Sequence, residues 1–157
     1  MSQALIEEFE RGHRPLRQAI AGLSPQQMKA FPVPGTWSIH QIVVHVADSA
    51  VIGADRMQRI IAMDNPILQA YDETLFTKNL FYHEQSVDDA LTMMELTGRQ
   101  MARVLRCLPE AAFARLGNHT EVGPISLLQM LQRNVNHVPH HLKFIEQKRA
   151  LLLKGSK

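Results

Sequence analysis

Apolar residues recur at helical spacing from Ile39 to Ile61, and this stripe constrains the fold more than any other feature of the sequence. Ile39, Ile42, Val43, Val46, Ala50, Ala54, Met57 and Ile61 share one face of a helix that Ser38 caps and Asp64-Asn65-Pro66 ends. A helix with one apolar face must bury it against other elements. Three further segments offer partners of the same kind. Ser2 caps a first helix carrying Leu5, Ile6, Phe9, Leu16, Ile20 and Leu23, in which Gly12 and Pro15 predict a kink near residues 11–14. Ser86, three residues before Asp89, opens another through about Cys107, with Val87, Leu91, Met94, Met101, Val104 and Leu108 inward. Pro124 starts the last, which runs to about Leu153 with Ile125, Leu128, Leu131, Val135, Val138, Leu142 and Ile145 inward. Ser24-Pro25 marks a short helical turn. No strand pattern stands out, so the sequence predicts an all-α fold, a four-helix bundle with long crossover connections of about 15–25 residues. The longest of these, residues 66–85, lacks periodicity. Its Leu75, Phe76, Leu80, Phe81 and Tyr82 are too apolar for a free loop and are expected to pack across the bundle or into a partner subunit.

The chain of 157 residues fits a single domain, 1–157, which at that size buries roughly 68–70% of its unfolded surface. Its 17 basic and 15 acidic residues are spread evenly, so the net charge of +2 implies neither nucleic acid nor an anionic membrane as partner. The single cysteine, Cys107, excludes an intrachain disulfide and fits a reducing compartment; Leu105 and Leu108 suggest a half-buried thiol. The first residues are acidic and amphipathic rather than a signal peptide, and no run reaches the ~18 apolar residues of a membrane span. A cytoplasmic protein is expected.

The last helix carries His137 and His141, four residues apart and therefore on one face, with Cβ atoms about 5–6 Å apart. Two imidazoles at that separation can close on one divalent ion, but a pair alone holds a transition metal poorly. His45 offers a third ligand. It lies one step before the core residue Val46, as His137 and His141 lie one step before Val138 and Leu142, so all three border the apolar stripes where two helices face each other. Such a pair is also common among ordinary helix histidines. His13, His83 and His119 read as surface or loop residues, and His40 as partly exposed. His140 is one step round from the pair. Asp48, one turn after His45, either orients an imidazole or is a solvated charge.

Three segments resemble the DinB superfamily: Gly35 to Ser49, which contains Trp37, Ser38, His45 and Asp48; Asn65 to Glu73; and His137-Val138-Pro139-His140-His141. The similarity is to its branch of metal-dependent hydrolases, which includes bacillithiol transferases, and it covers nearly the whole chain. The resemblance implies a four-helix bundle, a homodimer, and a divalent metal held by His45, His137 and His141. Zinc, nickel, iron and copper all suit such imidazole ligands. It implies chemistry on a small-molecule substrate, either hydrolysis or transfer to a low-molecular-weight thiol. Asp48, Asp72 and Glu73 are the candidate catalytic carboxylates, the last two because residues 66–85 could cover the site. Tyr71-Asp72-Glu73 also reads as a turn and cap. The alternative is a non-catalytic bundle that binds a metal or small ligand. Pro139 departs from an ordinary helix: it removes one backbone hydrogen bond between the paired histidines, at a typical cost of about 3 kcal/mol.

Overall fold

The computed structural model describes residues 2–154; residue 1 and residues 155–157 of the expected 1–157 span lie outside the described residues. Four long helical units pack together, as the apolar stripes require. The first is broken at Gly12 into α1 (Ser2–Arg11) and α2 (His13–Ile20), with Pro15 in the first turn of α2, where its missing N–H costs nothing. The short α3 (Pro25–Lys29) follows, opened by a Ser24/Gln27 capping box. The central α4 (Ile39–Ala62) begins at a second such box: Ser38 Oγ accepts from the Gln41 N–H at 3.1 Å while Gln41 Oε1 accepts from the Ser38 N–H at 3.0 Å. Its face buries Ile39, Val43, Val44, Met57 and Ile60 completely, each burial worth about 1.5–3 kcal/mol. Partners are α6 (Val87–Arg106), capped by Ser86, and α7 (Leu127–Lys154), which continues through Pro139.

Residues 66–85 are more ordered than their lack of periodicity predicts. They form a short strand β1 (Ile67–Leu68), helix α5 (Glu73–Asn79) capped by Asp72, and a 3-10 turn at Tyr82–Glu84. Tyr82 is fully buried and Phe76 packs against the core, but Leu75, Leu80 and Phe81 remain exposed.

The expectation of no strand is corrected. β1 pairs in parallel with β2 (Leu116–His119), which pairs antiparallel with β3 (Gly123–Ser126). Pro124 and Ile125 therefore belong to β3, and the last helix starts at Leu127. These strands are short, and β1 lies far from β2 in the chain, so their pairing leaves little local signature. Gly117 lies at the sheet's inner face, where a Cβ would stand 2.9 Å from Leu68 Cδ1 and 3.0 Å from Ile60 Cγ1, so any side chain there forces its neighbours to shift. Thr120 continues the ladder beyond β2: its N–H donates to the Leu68 carbonyl at 3.1 Å and its hydroxyl accepts from the Ala70 N–H at 2.9 Å. The sheet thereby fixes the chain that leads to Glu73.

Burial corrects several other expectations. His13, His40 and His119 are buried rather than surface residues, because each is covered by a neighbouring element. Cys107 is exposed rather than half-buried, at the end of α6, and Val104 is likewise exposed.

Candidate metal centre

Helix α4 delivers His45 into the interior, where its side chain is fully buried against Trp37, ring centroids 4.9 Å apart. Helix α7 presents His137 and His141 on successive turns. The Nε2 atoms of His45 and His137 lie 3.3 Å apart, and those of His137 and His141 lie 3.0 Å apart. All three rings meet edge to face, at interplanar angles of 67–77°. Among the described residues this is the one group of three or more histidines, cysteines or acids whose ligand atoms converge, all within 4.8 Å of one another.

Burial disfavours the charged imidazolium. It holds His45 down to about 3, and His137 and His141 to about 4, with mutual repulsion adding to the effect at His45 and His141. All three are therefore neutral at pH 7 and have lone pairs to donate. No arrangement of tautomers lets three neutral imidazoles that converge through Nε2 satisfy one another fully. A shared cation does so.

The candidate carboxylates separate. Glu73 Oε2 stands 3.9 Å from His45 Nε2, and burial raises its carboxyl above the usual range. Asp48 does not orient His45; it accepts from the Tyr82 hydroxyl at 2.7 Å, and Nδ1 of His45 is buried without a hydrogen-bond partner. Asp72 accepts from the Leu75 N–H at 2.8 Å as the cap of α5, as its reading as a turn anticipates. His140 points outward from the set, edge-on to His141 and Phe144.

The set stands between two recesses that share His137. One is an apolar groove between α1–α2 and α7, lined by Phe9, Val46, Met94, Val138 and Pro139. The other is small and polar, walled by Ser49, Arg56, Tyr71 and Arg133. Sequence reading singled out none of these four polar residues as site residues. A signal did exist: Ser49 and Gly53 follow His45 at intervals of four on α4, Arg56 comes three further on, and Arg133 precedes His137 by four on α7. Gly53 admits Asn134 here, for a Cβ would come 1.9 Å from Asn134 Oδ1.

A sequence profile of the DinB superfamily matches residues 8–145. The chain is 27% identical over 140 residues to a protein of Oceanobacillus iheyensis, spanning 89% of this chain and 81% of that one. A Bacillus licheniformis protein is 26% identical over 145 residues, spanning 92% and 82%. Both carry the name "Putative metal-dependent hydrolase". In structure the chain is similar to YfiT from Bacillus subtilis, described as "a probable metal-dependent hydrolase with an unusual four-helix bundle topology", at a TM-score of 0.86 and 23% identity, over 92% of this chain and 83% of YfiT. It also shares its fold with a mycothiol-dependent maleylpyruvate isomerase, at a TM-score of 0.67 and 13% identity, over 88% of this chain and 58% of that enzyme.

Proposed function

The chain belongs to the DinB superfamily, and from that premise we propose that it is a metal-dependent hydrolase of small molecules whose cation is held by His45, His137 and His141. The observation that carries this reading is the convergence of three neutral Nε2 atoms. A tetrahedral ion with metal–nitrogen distances of about 2.0–2.1 Å sets nitrogen–nitrogen edges of about 3.3–3.4 Å. The separations of 3.3 and 3.0 Å match two of its three edges, and the third pair, His45 and His141, lies within 4.8 Å and would close on the ion by side-chain adjustment. Imidazole donors suit zinc, nickel or iron. When bound, such a cation supplies Lewis acidity and lowers the pKa of water toward neutrality.

The chain's own residues do the rest. Glu73 Oε2 is close enough to the convergence point to take a proton from the attacking water and return it to the leaving group. Burial raises its affinity for protons in the metal-free fold, and a cation beside it would offset that rise. Buried His45, with the half-buried Trp37 ring against it, shields one side of the set from bulk water. Hydrolysis is preferred to thiol transfer because the named relatives are described as hydrolases. A thiol-dependent enzyme enters only through the shared fold.

A second reading, a bundle that binds metal without turnover, draws on the orphaned Nδ1 of His45. Ligating histidines ordinarily donate their other N–H to an acceptor, and losing that partner typically weakens metal affinity about 10–100-fold. Metal analysis of the purified protein, with turnover measured on a panel of esters, amides and thiol-transfer substrates, separates the two. The hydrolase predicts one divalent ion per chain, lost in His45→Ala and His141→Ala. It also predicts a Glu73→Gln variant that keeps the ion while kcat falls about 10²–10⁴-fold. Full metal with no turnover on any substrate favours the binding protein, and a chain that takes up no divalent ion refutes both readings.

A further inference from the structure

The polar recess beside the histidine set holds about 100 Å³, room for a head group of roughly three water volumes. Two guanidinium groups border it, Arg56 from α4 and Arg133 from α7. Arg56 is half-buried and pinned: Nη2 donates to the Gln69 carbonyl at 2.5 Å, and the guanidinium lies 5.7 Å from the centre of the Tyr71 ring. Its Nε, by contrast, is fully buried and has no hydrogen-bond partner. A buried charged donor without an acceptor is costly; Glu121 and Asp55 offset the Arg56 charge through space, but neither reaches its Nε. Glu73 and Glu121 share the recess, yet among the described residues neither forms an ion pair with either arginine. Arg133 likewise has no hydrogen-bond or ion-pair partner among them. A forked guanidinium held at one end and joined by a second, exposed arginine matches the geometry that recognises oxyanions.

We propose that this recess binds a small oxyanion, the carboxylate or phosphate head of the substrate, between Arg56 and Arg133. Because His137 walls both the recess and the histidine set, an anion seated there presents the neighbouring bond of its molecule to that set. This last consequence rests on the hydrolase reading; the anion site itself does not.

The test uses the full chain, chelator-treated, and follows the arginine Nε–H resonances in ¹⁵N-correlated spectra. Inorganic phosphate and acetate are titrated separately, with chloride holding the ionic strength constant. The Arg56 Nε–H is expected to shift saturably with one anion or both, and the tighter of the two identifies a phosphorylated or a carboxylated substrate. Arg133→Gln, a change at an exposed side chain, is expected to weaken that binding about three- to tenfold. Arg56→Lys keeps the charge but loses the fork, and is expected to weaken it about tenfold or more. A linear, unsaturated drift with both anions overturns the proposal, as does unchanged affinity in Arg133→Gln. Metal uptake is measured on the same protein. Saturable shifts in a chain that takes up no metal leave the anion site standing and remove the hydrolase, whereas metal uptake without those shifts does the reverse.

Discussion

With no cation bound, the protein should be acid-labile through its own histidines. An ordinary histidine titrates near 6.5, whereas His45 is held to about 3 and His137 and His141 to about 4 in the fold. Above pH 6.5 the imidazoles are neutral in both folded and unfolded chains and cost nothing. As pH falls below 6.5 the unfolded chain takes up protons that the folded one refuses, so stability declines until the folded values are reached. Between pH 7 and pH 5 the loss is about 1.8 kcal/mol per histidine, or roughly 5 kcal/mol for three. His137 and His141 keep some contact with water, and screening reduces the expectation to about 3–5 kcal/mol. With a urea slope of about 2 kcal/mol/M, the unfolding midpoint should drop by about 1.5–2.5 M. His13, His40, His83 and His119 are also lowered by burial and act in the same direction, so the cluster must be isolated by substitution. Urea unfolding of the chelator-treated protein at both pH values, compared with His45→Asn, provides that control. The variant should retain only about two-thirds of the cluster's pH-dependent loss, whatever its absolute stability. An equal loss in parent and variant would refute the claim that burial keeps these rings neutral.

Two further changes probe the scaffold. Gly117→Ala places a methyl against Leu68 and Ile60, and should lower stability by about 1–3 kcal/mol in thermal or urea unfolding. It should also speed amide exchange at Thr120 and Ala70, which hold the strand leading to Glu73; unchanged exchange there would mean that the sheet does not fix that segment. Pro139→Ala restores an N–H inside α7 and should raise stability by about 1–3 kcal/mol, measured by thermal unfolding of the metal-free protein. A fall in stability would show that the proline ring itself, rather than an ordinary helix residue, suits the packing of Val138 and Leu142.

The helices were legible because their information is local. Apolar stripes on α4, α6 and α7, and the caps Ser24, Ser38 and Ser86, lie within a few residues of what they determine, so element type and inward face follow from spacing alone. The pairing of His137 with His141 is local in the same sense, and His45 was recognisable from its place beside the core residue Val46. The sheet was not legible, since Leu68 meets His119 only after the intervening helices have packed and no four-residue strand announces its partner. For the same reason Glu73 could not be told from Asp48 or Asp72 by sequence. Three acidic residues of similar chemistry acquired three different jobs when Tyr82 folded over Asp48, the N-terminus of α5 took Asp72, and the β-ladder carried Glu73 to His45. The sequence by itself determined a helical bundle, the pairing of His137 with His141 on one helix face, and His45 as the candidate to join them. Tertiary structure alone decided which carboxylate and which arginines stand beside them, because those distances are set by contacts between residues far apart in the chain.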